Sequence, residues 1–441
     1  MIYKRKIYEK LLDWKENWAN RRALLVQGAR RIGKSTIVEE FAKKEYKSYL
    51  LINFQSDKRK VEAFFNDLSS LDDFFRNISL TYGIKLYEGE SLIVFDEIQQ
   101  FPTARESIKQ LVLDGRYHYI ETGSLISLRH NVEKILIPSE ERIINMYPMD
   151  FEEFLWAIGD DVTAGYIKEN FKTEKPFGDA IHRIIMKKFR TYLAVGGMPE
   201  AVNEFIATNN YESVDLIKRD ILNLYESDLK KLDDTRNLST SLILKAVPSE
   251  LSTSSRLFRT VSIGKNARRR RAYSSFDAIA ESMIVNVASC CLDPGFTPAL
   301  TKDFTRQKIY MADTGLLVSQ IFKASNVPIN ESIYNSLVLG KISLNLGMVI
   351  ENAIAQILSA NGHDLYFYLF NNYEIDFLIP KDKKVIPIEV KSSSYRSHKS
   401  LDLFCEKYSS RVDNSRYVIY SKDLKKEGNI IYIPFYMAMC L

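Results

Sequence analysis

Cysteine and histidine are scarce in this sequence. Its 441 residues include only four cysteines, Cys290, Cys291, Cys405 and Cys440, and five histidines. No two of them have the spacing of a metal-binding Cys-x-x-Cys or His-x-x-x-His pair, and directly neighbouring cysteines rarely bridge. We therefore expect reduced, buried thiols, and we predict neither a disulfide framework nor a histidine-based metal site.

Long apolar runs are also missing. No segment approaches the roughly 18 consecutive apolar residues of a membrane-spanning helix. The N-terminal sequence MIYKRKIYEKLLDWKENW predicts an amphipathic helix rather than a signal peptide. The composition, 46% hydrophobic and 27% charged with a net charge of +5, is typical of globular proteins. A chain of this length predicts about three domains, and we expect a cytoplasmic protein with no membrane partner.

The most informative motif that is present lies at residues 28–36, where the sequence is GARRIGKST. It matches the phosphate-binding pattern G-x-x-x-x-G-K-[ST], and it lies between an apolar run at 23–26 and a helical pattern from residue 36 onward. In such a loop, backbone N–H groups and the helix N-terminus together hold a polyphosphate. The residues predicted to contact the nucleotide are Gly28, Ala29, Arg30, Arg31, Ile32, Gly33, Lys34, Ser35 and Thr36.

Two residues of this loop and two acids downstream have distinct predicted roles. Lys34 would reach the β- and γ-phosphates, and the Ser35 hydroxyl would bind Mg²⁺. The run SLIVFDE at residues 91–97 predicts a buried parallel strand that ends in two acids. Because ligands of α/β sheets bind at the carboxyl ends of strands, we predict that Asp96 holds Mg²⁺ and that Glu97 polarises a water molecule for attack on the γ-phosphate.

Further elements of the same sheet follow from the pattern. Residues 48–54 and 117–122 predict strands, and residues 103–113 predict a helix between two of the strands. Strands that alternate with helices indicate a parallel sheet with helices on both faces. The predicted fold class is therefore α/β, with a P-loop NTPase sheet in a first domain at residues 1–150.

This ordered set of motifs resembles the AAA-type P-loop ATPases, in particular the prokaryotic archaeal-ATPase branch related to the STAND group. The resemblance implies ATP rather than GTP, and a small polar sensor of the γ-phosphate at Thr122 or Ser124. It also covers residues 147–155, which lead into the helical lid of that family, and residues 196–200, Gly-Gly-Met-Pro-Glu. A simple helix stop explains the two glycines equally well.

No arginine finger can be assigned from the sequence. Arg105, Arg129 and Arg142 are candidates by position, and each is also explained as a surface charge. A finger supplied by another subunit would not be visible in one chain. A homo-oligomer and a protein partner therefore stay open as alternatives.

The middle of the chain contains a helical region and a basic run. Residues 151–235 have apolar positions at helical spacing and predict a helical lid.

Residues 251–276 hold seven basic side chains and no acidic one. The last four of these are Arg268, Arg269, Arg270 and Arg271. Four consecutive arginines would contact the phosphates of DNA or another nucleic acid, and the alternatives are a solvated loop or a patch that pairs with an acidic surface. The family resemblance implies a winged-helix-like region at residues 236–305.

Alternating polar and apolar residues predict a hairpin near the C-terminus. In residues 374–379, EIDFLI, the acids share one strand face, and in residues 385–391, VIPIEVK, so do Glu389 and Lys391. A short turn between these strands would bring Asp376 beside Glu389. Two carboxylates and a lysine can bind Mg²⁺ and position a water molecule for attack on a phosphodiester.

This arrangement resembles the PD-(D/E)xK nuclease core, with Ile375 where that core usually has proline. The resemblance implies a further acidic ligand on a preceding helix, and Glu351 in the helical pattern 347–358 fits that place. Residues 308–317 resemble the start of the C-terminal domain in the same ATPase family. The last predicted domain, an α/β restriction-endonuclease-like fold, spans residues 306–441.

Three hypotheses about function follow. In the first, an ATP-binding protein and Mg²⁺-dependent ATPase uses its nucleotide state to control a nucleic-acid-directed C-terminal domain. In the second, the protein is a slow nucleotide-dependent switch or scaffold for a protein partner, with an inactive nuclease-like fold. In the third, it is a divalent-metal nuclease in which ATP only gates access.

Overall fold

The structure is a computed structural model, and it describes residues 2–124, 139–236, 239–253, 255–259, 269–295, 297–324, 331–341, 346–371, 373–392 and 398–441. The chain divides into two compact units. The first consists of Met1–Tyr147 with Glu281–Met283, and the second of Pro148–Ala280 with Ile284–Leu441.

The first unit alternates strands with helices in its described part. Its helices are α1 (Ile7–Asn17), α2 (Lys34–Glu45), α3 (Lys58–Asn66), α4 (Leu71–Tyr82) and α5 (Pro102–Asp114). Its strands are β1 (Ala23–Gln27), β2 (Ser48–Asn53), β3 (Ser91–Asp96), β4 (His118–Gly123) and β5 (Glu141–Asn145). The amphipathic helix, the strands and the helix that the sequence predicts here are all present.

The five strands form one parallel sheet in the order β2-β3-β4-β1-β5. This confirms the predicted parallel-sheet α/β core. All six residues of β3 and of β4 are buried, which is why both strands are continuous rather than alternating apolar runs. Since the strands are parallel, their carboxyl ends lie at one edge, where β1 is followed by the glycine-rich loop and β3 ends in Asp96.

An aromatic cluster fills the core on one side of this sheet. Phe54, Phe65, Phe95 and Phe101 contact one another with ring centroids 5.3–5.9 Å apart, mostly edge to face. Edge-to-face pairs add about 0.5–1.5 kcal/mol to the burial of each ring. The cluster packs α3 and the residue before α5 against the carboxyl ends of β2 and β3.

The second unit begins with helices and ends with a sheet. Its helices are α6 (Phe151–Ala157), α7 (Thr163–Thr173), α8 (Asp179–Val195), α9 (Pro199–Thr208), α10 (Tyr211–Arg236), α11 (Thr240–Leu251), α12 (Arg269–Glu281), α13 (Thr314–Ala324), α14 (Glu331–Val338), α15 (Leu346–Ala360) and α16 (Lys399–Lys407). The last residue of α12, Glu281, is assigned to the first unit. The region predicted as helical, residues 151–235, is covered by α6–α10.

The strands of the second unit form a mixed sheet in the order β12-β13-β11-β10-β9-β8-β6-β7. They are β6 (Val285–Cys291), β7 (Lys302–Met311), β8 (Tyr366–Phe370), β9 (Tyr373–Lys381), β10 (Lys384–Lys391), β11 (Arg416–Tyr420), β12 (Lys425–Glu427) and β13 (Ile430–Pro434). Pairing between β6 and β7 is antiparallel and crosses the boundary predicted at residues 305/306. Two helices, α11 and α12, precede this pair in the region predicted to be winged-helix-like.

The predicted C-terminal hairpin is present as β9 and β10. The strands pair antiparallel, with Ile388 opposite Phe377 and Lys384 opposite Lys381. The loop is therefore only Asp382-Lys383, shorter than the turn expected from the sequence, and Asp382 has a left-handed φ of 51°. Short aspartate-containing loops of this kind suit the twist of a hairpin.

Two further expectations concern cysteines and membranes. All four cysteines lie in the described ranges and none of them forms a disulfide there, and three of them, Cys290, Cys291 and Cys405, are buried. Across the described ranges, no helix combines the length and the apolar character needed to cross a bilayer.

Candidate functional site

The glycine-rich loop connects the end of β1 to the first residue of α2. Gly33 has a left-handed φ of 91°, and Arg31 has a φ of 66°, so the backbone reverses its curvature twice within the loop. A Cβ atom at Gly28 would lie 2.4 Å from the carbonyl oxygen of Met146. Only glycine fits at residue 28, and glycine also adopts the conformation of residue 33 without strain.

Lys34 lies across its own loop. Its Nζ donates to the carbonyl oxygens of Gly28 at 3.0 Å and Ala29 at 2.8 Å, and the residue is buried. Burial lowers the pKa of Lys34 to about 8, although the carboxylates of Glu97 and Asp96 act in the opposite direction. The ammonium group is therefore held at the mouth of the loop, close to both acids of the β3 terminus.

Asp96 is the centre of a polar cluster at the carboxyl edge of the sheet. Its Oδ1 accepts hydrogen bonds from Ser35 Oγ at 2.6 Å and from Thr122 Oγ1. Its Oδ2 accepts one from Asn53 Nδ2 at 2.7 Å. Four elements, α2, β2, β3 and β4, thus converge on one carboxylate that is almost fully buried.

Glu97 follows directly and has a left-handed backbone, with φ 56° and ψ 47°. Its side chain accepts a hydrogen bond from Gln99 Nε2, and its backbone N–H donates to Thr122 Oγ1 at 3.3 Å. A non-glycine residue in this conformation costs of order 1–3 kcal/mol and is typical of functional positions. Ser124 is buried just beyond β4.

Three residues that contact this site were missed by the sequence reasoning. Asn53 and Gln99 hold the side chains of Asp96 and Glu97. Arg5 is buried and donates to the carbonyl oxygens of Ile32 at 2.9 Å and Tyr147 at 2.7 Å, which fixes the loop from outside. A polar residue at the end of a predicted strand was the signal for Asn53, whereas nothing local marks Arg5.

The arginine-finger candidates have other surroundings. Arg105 is buried rather than a surface charge, because it donates to Glu141 at 2.8 and 3.1 Å and lies 3.9 Å from Glu121. The guanidinium of Arg142 lies over the ring of Trp18 at 4.1 Å. Arg129 lies outside the described residues.

The residues present fit a nucleotide with magnesium. The loop forms a cradle for phosphate at the N-terminus of α2. Gly28 has no Cβ to fill it, Arg31 and Gly33 have left-handed backbones that curve it, and Lys34 is buried beside it. A hydroxyl and a carboxylate, Ser35 and Asp96, stand 2.6 Å apart beside it. Oxygen donors of this kind, completed by water and phosphate oxygens, are what Mg²⁺ prefers.

A second polar cluster lies at the β9–β10 hairpin. Asp376 Oδ2 accepts a hydrogen bond from the Val390 backbone N–H at 2.7 Å, and Glu389 Oε1 contacts Lys391 Nζ at 2.5 Å. Glu389 is 4% exposed, and its Oε2 has no hydrogen-bond partner among the residues that the structure describes. Burial raises the pKa of Glu389 above its usual value, against the effect of Lys391. The predicted Asp376, Glu389 and Lys391 thus belong to one hairpin.

Glu351, on α15, is surrounded by positive charge. Its Oε1 accepts from Lys308 Nζ at 3.1 Å and from Tyr310 OH at 2.7 Å, and its Oε2 is paired with Arg256. Lys308 is fully buried and also binds Glu374. Burial acts to lower the pKa of Lys308, but Tyr310 and the carboxylates of Glu374 and Asp376 together raise it by more. The net shift of the pKa is therefore upward, and the ammonium is charged.

The metal site predicted from Glu351, Asp376 and Glu389 with Lys391 is not assembled as expected in the described part of the second unit. Within the ranges that the structure describes, no three His, Cys, Asp or Glu side chains form a cluster able to hold a metal ion. Glu351 instead has cations of the chain itself on both carboxylate oxygens. Arg268 and the side chains of Arg269, Arg270 and Arg271 lie outside the described residues.

The parallel sheet, the glycine-rich loop and the acids at its edge define a P-loop NTPase fold in the first unit. Residues 20–155 match the family model of an AAA domain. This match confirms the prediction of an AAA-type P-loop domain, and it supports ATP binding and hydrolysis. Residues 186–326 and 346–437 match two models described as domains of unknown function, DUF8612 and DUF4143.

Similar proteins are found among archaea. An uncharacterized protein of Methanocaldococcus jannaschii, MJ1637, is 25% identical and matches 93% of this chain and 83% of its own length. The Walker-type ATPase PABY2304 of Pyrococcus abyssi matches 73% of this chain and 96% of its own, at 16% identity and a TM-score of 0.39. The STAND protein PH0952 of Pyrococcus horikoshii, which has a tetratricopeptide repeat sensor, matches 80% and 48%, at 11% identity and a TM-score of 0.22. Both TM-scores are too low to establish a common fold.

Proposed function

We propose that the first unit binds ATP with Mg²⁺ and hydrolyses it. The observation that carries this proposal is the contact of 2.6 Å between Ser35 Oγ and Asp96 Oδ1, at the end of a loop that only glycine can form at residue 28. It joins the phosphate-binding loop to the acidic strand end in one oxygen-donor site. When bound, Mg²⁺ would neutralise charge on the β- and γ-phosphates.

Each predicted residue has a role in this proposal. Backbone N–H groups of residues 28–36 and the ammonium of Lys34 bind phosphate oxygens. Ser35 and Asp96 hold the metal with its water molecules. Thr122, which already donates to Asp96, and Ser124 respond to the γ-phosphate at the end of β4.

Glu97 is proposed to orient and polarise the attacking water. Its left-handed backbone turns the side chain away from the line of β3, and Gln99 holds the carboxylate in place. A carboxylate acting on water gains most of its effect from such fixed positioning. Gln99 is therefore assigned as a positioning residue for Glu97.

The test of the ATPase proposal is phosphate release from ATP and Mg²⁺. Glu97→Gln should abolish turnover while ATP binding remains, and Lys34→Ala should lose binding. Glu62→Gln, an exposed glutamate on α3, is the matched control and should retain the wild-type rate. Normal turnover in Glu97→Gln would contradict the proposed role of Glu97. A wild-type protein that binds ATP but does not turn it over would contradict the ATPase proposal and favour a nucleotide-dependent switch.

For the second unit we propose a nucleic-acid-directed role that the nucleotide state controls. The β9–β10 hairpin, which carries Asp376, Glu389 and Lys391 together, supports a nuclease-like core, and the run Arg268–Arg271 supports a phosphate-binding partner. Turnover of ATP should rise with duplex DNA and lose that response when the four arginines are replaced by alanine. Glu389→Ala and Lys391→Ala should remove any DNA cleavage and leave ATP hydrolysis intact.

The second candidate is a slow switch or scaffold for a protein partner with an inactive nuclease-like fold. The observation that favours it is the occupation of both Glu351 oxygens by Lys308, Tyr310 and Arg256. Normal ATP binding followed by a single turnover, without response to DNA, would favour this candidate over the first.

A further inference from the structure

Strands β8 and β9 and helix α16 border an aromatic cavity in the second unit. Its volume is about 400 Å³, at the small end of the roughly 300–1,000 Å³ that ligand pockets span. We propose that this cavity binds an unpaired base of single-stranded nucleic acid, with Lys407 on the phosphate beside that base. The choice of ligand rests on the nucleic-acid-directed role proposed above.

The floor of the cavity consists of buried side chains. Phe404 of α16 and Tyr368 of β8 pack edge to face with ring centroids 5.0 Å apart, and Ile375 of β9 lines the cavity with them. Tyr368 OH lies 3.0 Å from Tyr408 OH and accepts a hydrogen bond from Lys407 Nζ at 3.2 Å. Because these side chains already hold one another in place, a planar ligand can bind without ordering them first.

Two further aromatic rings of the cavity are exposed. Phe370, the last residue of β8, is 49% exposed, and Tyr373, the first residue of β9, is 37% exposed. Aromatic rings at the surface, combined with a cation, are how proteins hold the bases of single strands. A base inside a duplex is stacked between its neighbours, so only an unpaired base can offer its face to these rings.

Lys407 supplies the positive charge. Its Nζ lies 4.0 Å from the ring centroid of Phe370 and 5.0 Å from that of Tyr408. In the described part of the chain its ammonium is partnered by aromatic rings and a tyrosine hydroxyl rather than by a carboxylate. A stacked base typically outweighs an exposed cation–π contact. A base can therefore displace the ammonium from Phe370, and the ammonium then meets the adjoining phosphate.

Glu406 also lines the cavity and bears on which base is preferred. A carboxylate accepts hydrogen bonds, so it suits the exocyclic amino group of cytosine, whereas thymine has a carbonyl oxygen in that place. Its negative charge also opposes a phosphate inside the cavity and favours one at the rim, next to Lys407. We therefore expect cytosine to bind more tightly than thymine.

The cavity lies on the face of β9 opposite to the acids of the nuclease-like core. Tyr373 and Ile375 line the cavity, whereas Glu374, between them, binds Lys308. Consecutive side chains of a strand point to opposite faces. Substitutions in the cavity therefore leave the ion pair of Glu374 in place.

The experiment is a titration of the full chain, without ATP, into a fluorescent single strand of oligodeoxycytidine, followed by fluorescence anisotropy. A length of about 12 nucleotides is comparable with the site sizes of single-strand-binding proteins. Phe370→Ala and Tyr373→Ala should each weaken binding by about 5- to 150-fold, the effect of losing one stacked base. Phe370→Tyr should retain the affinity. Tyr166→Ala, which removes an exposed ring from α7, is the matched control and should bind as the wild type does.

Charge and base preference are tested separately. Lys407→Gln should reduce the slope of log affinity against log salt by about 0.7, the value for one phosphate contact on a single strand. Lys172→Gln, at an exposed position on α7, should leave the slope unchanged. Oligothymidine should bind more weakly than oligodeoxycytidine, and Glu406→Gln should narrow that difference. Equal wild-type affinity for the two strands would overturn the role of Glu406.

Failure of the cavity can be told from failure of the proposed function. Wild-type affinity in both Phe370→Ala and Tyr373→Ala would overturn the cavity as a base-binding site, even if the chain binds single strands elsewhere. No binding of single strands by the wild type, with ATP turnover that duplex DNA still stimulates, would overturn this inference and leave the nucleic-acid-directed role. The absence of both responses would overturn both.

Discussion

Asp313 Oδ2 accepts a hydrogen bond of 2.6 Å from the backbone N–H of Gly197. The bond joins two segments that the sequence singled out only by resemblance, residues 196–200 and 308–317. Gly196 ends α8 with a φ of 87°, as the helix-stop interpretation expected. It also packs against Gly315, where a Cβ would lie 2.5 Å from the Gly196 Cα. The glycines are therefore a close backbone contact as well as a stop.

Substitution at this contact should destabilise the second unit. In Gly197→Ala the new Cβ would lie 2.0 Å from the carbonyl oxygen of Met149, so the backbone must shift. We expect a loss of about 1–3 kcal/mol in the free energy of unfolding, measured by urea denaturation. Gly165→Ala is the control: it lies inside α7 with open space around it and should gain about 0.5–1 kcal/mol. Equal stability of Gly197→Ala and wild type would contradict the contact.

Asn53→Ala should slow ATP hydrolysis without preventing ATP binding. The side chain of Asn53 holds Asp96 Oδ2 at 2.7 Å, and its loss frees the carboxylate that is proposed to hold magnesium. Residues that orient a metal ligand typically contribute about 10- to 100-fold to activity. Steady-state phosphate release gives kcat, and nucleotide titration gives the affinity. Asn17→Ala, which removes an exposed contact to Asp13 on α1, should match the wild type. An unchanged kcat in Asn53→Ala would contradict the role of Asn53.

Arg105→Met should strongly destabilise the first unit. The substitution leaves Glu141 and Glu121 buried without their cation, and breaking a buried pair in this way costs about 3–5 kcal/mol. Burial, and then the neighbouring Glu141, raise the pKa of Glu121 well above its usual value, and Arg105 donates its two hydrogen bonds to Glu141. Adding Glu141→Gln should therefore recover part of the stability. Arg76→Met, the control, removes an exposed ion pair on α4 and should cost less than about 0.5 kcal/mol. An equally small loss in Arg105→Met would contradict the stabilising role of the buried ion pair.

Lys218 should make stability rise with pH in the alkaline range. Burial lowers its pKa to about 8 from 10.5, in opposition to Asp215 and Asp313. Between these two values the unfolded chain binds more protons than the folded one, so the free energy of unfolding increases with pH there. Lys218→Met should remove that increase. The measurement is the urea midpoint of unfolding, compared between about pH 7.5 and about pH 9.5. Lys187→Met, at an exposed position on α8, should keep it. Parallel pH profiles for wild type and Lys218→Met would show that Lys218 is not the group responsible.

Features with a local period or a fixed spacing could be predicted from the sequence. The loop at residues 28–36 has its pattern in nine consecutive residues, and the strand at 91–96 is one apolar run. The β9–β10 hairpin followed from alternation over residues 374–391, although its loop is tighter than expected. Each of these depends on neighbours in the chain, so the pattern of residue types was enough to predict it.

Features that depend on distant partners could not be predicted. Arg105 was a candidate surface charge until β4 and β5 brought Glu121 and Glu141 against it. Asn53 became a contact of Asp96 because β2 pairs with β3 in the register that places these two residues side by side. The same holds for Glu351, which was predicted to be a metal ligand. Its carboxylate is paired instead with Lys308 and Arg256, which lie far from it in the chain.

The sequence by itself determined the phosphate-binding loop, the parallel α/β core and the hairpin with its acids, since the spacing of a few residue types sets local backbone geometry. Only the tertiary structure decided which charges are paired. Whether Glu351 faces a cation of the chain, or Arg105 faces solvent, depends on strand order and helix packing. Burial then makes each such pairing energetically decisive, because an unpaired charge in the interior costs several kcal/mol.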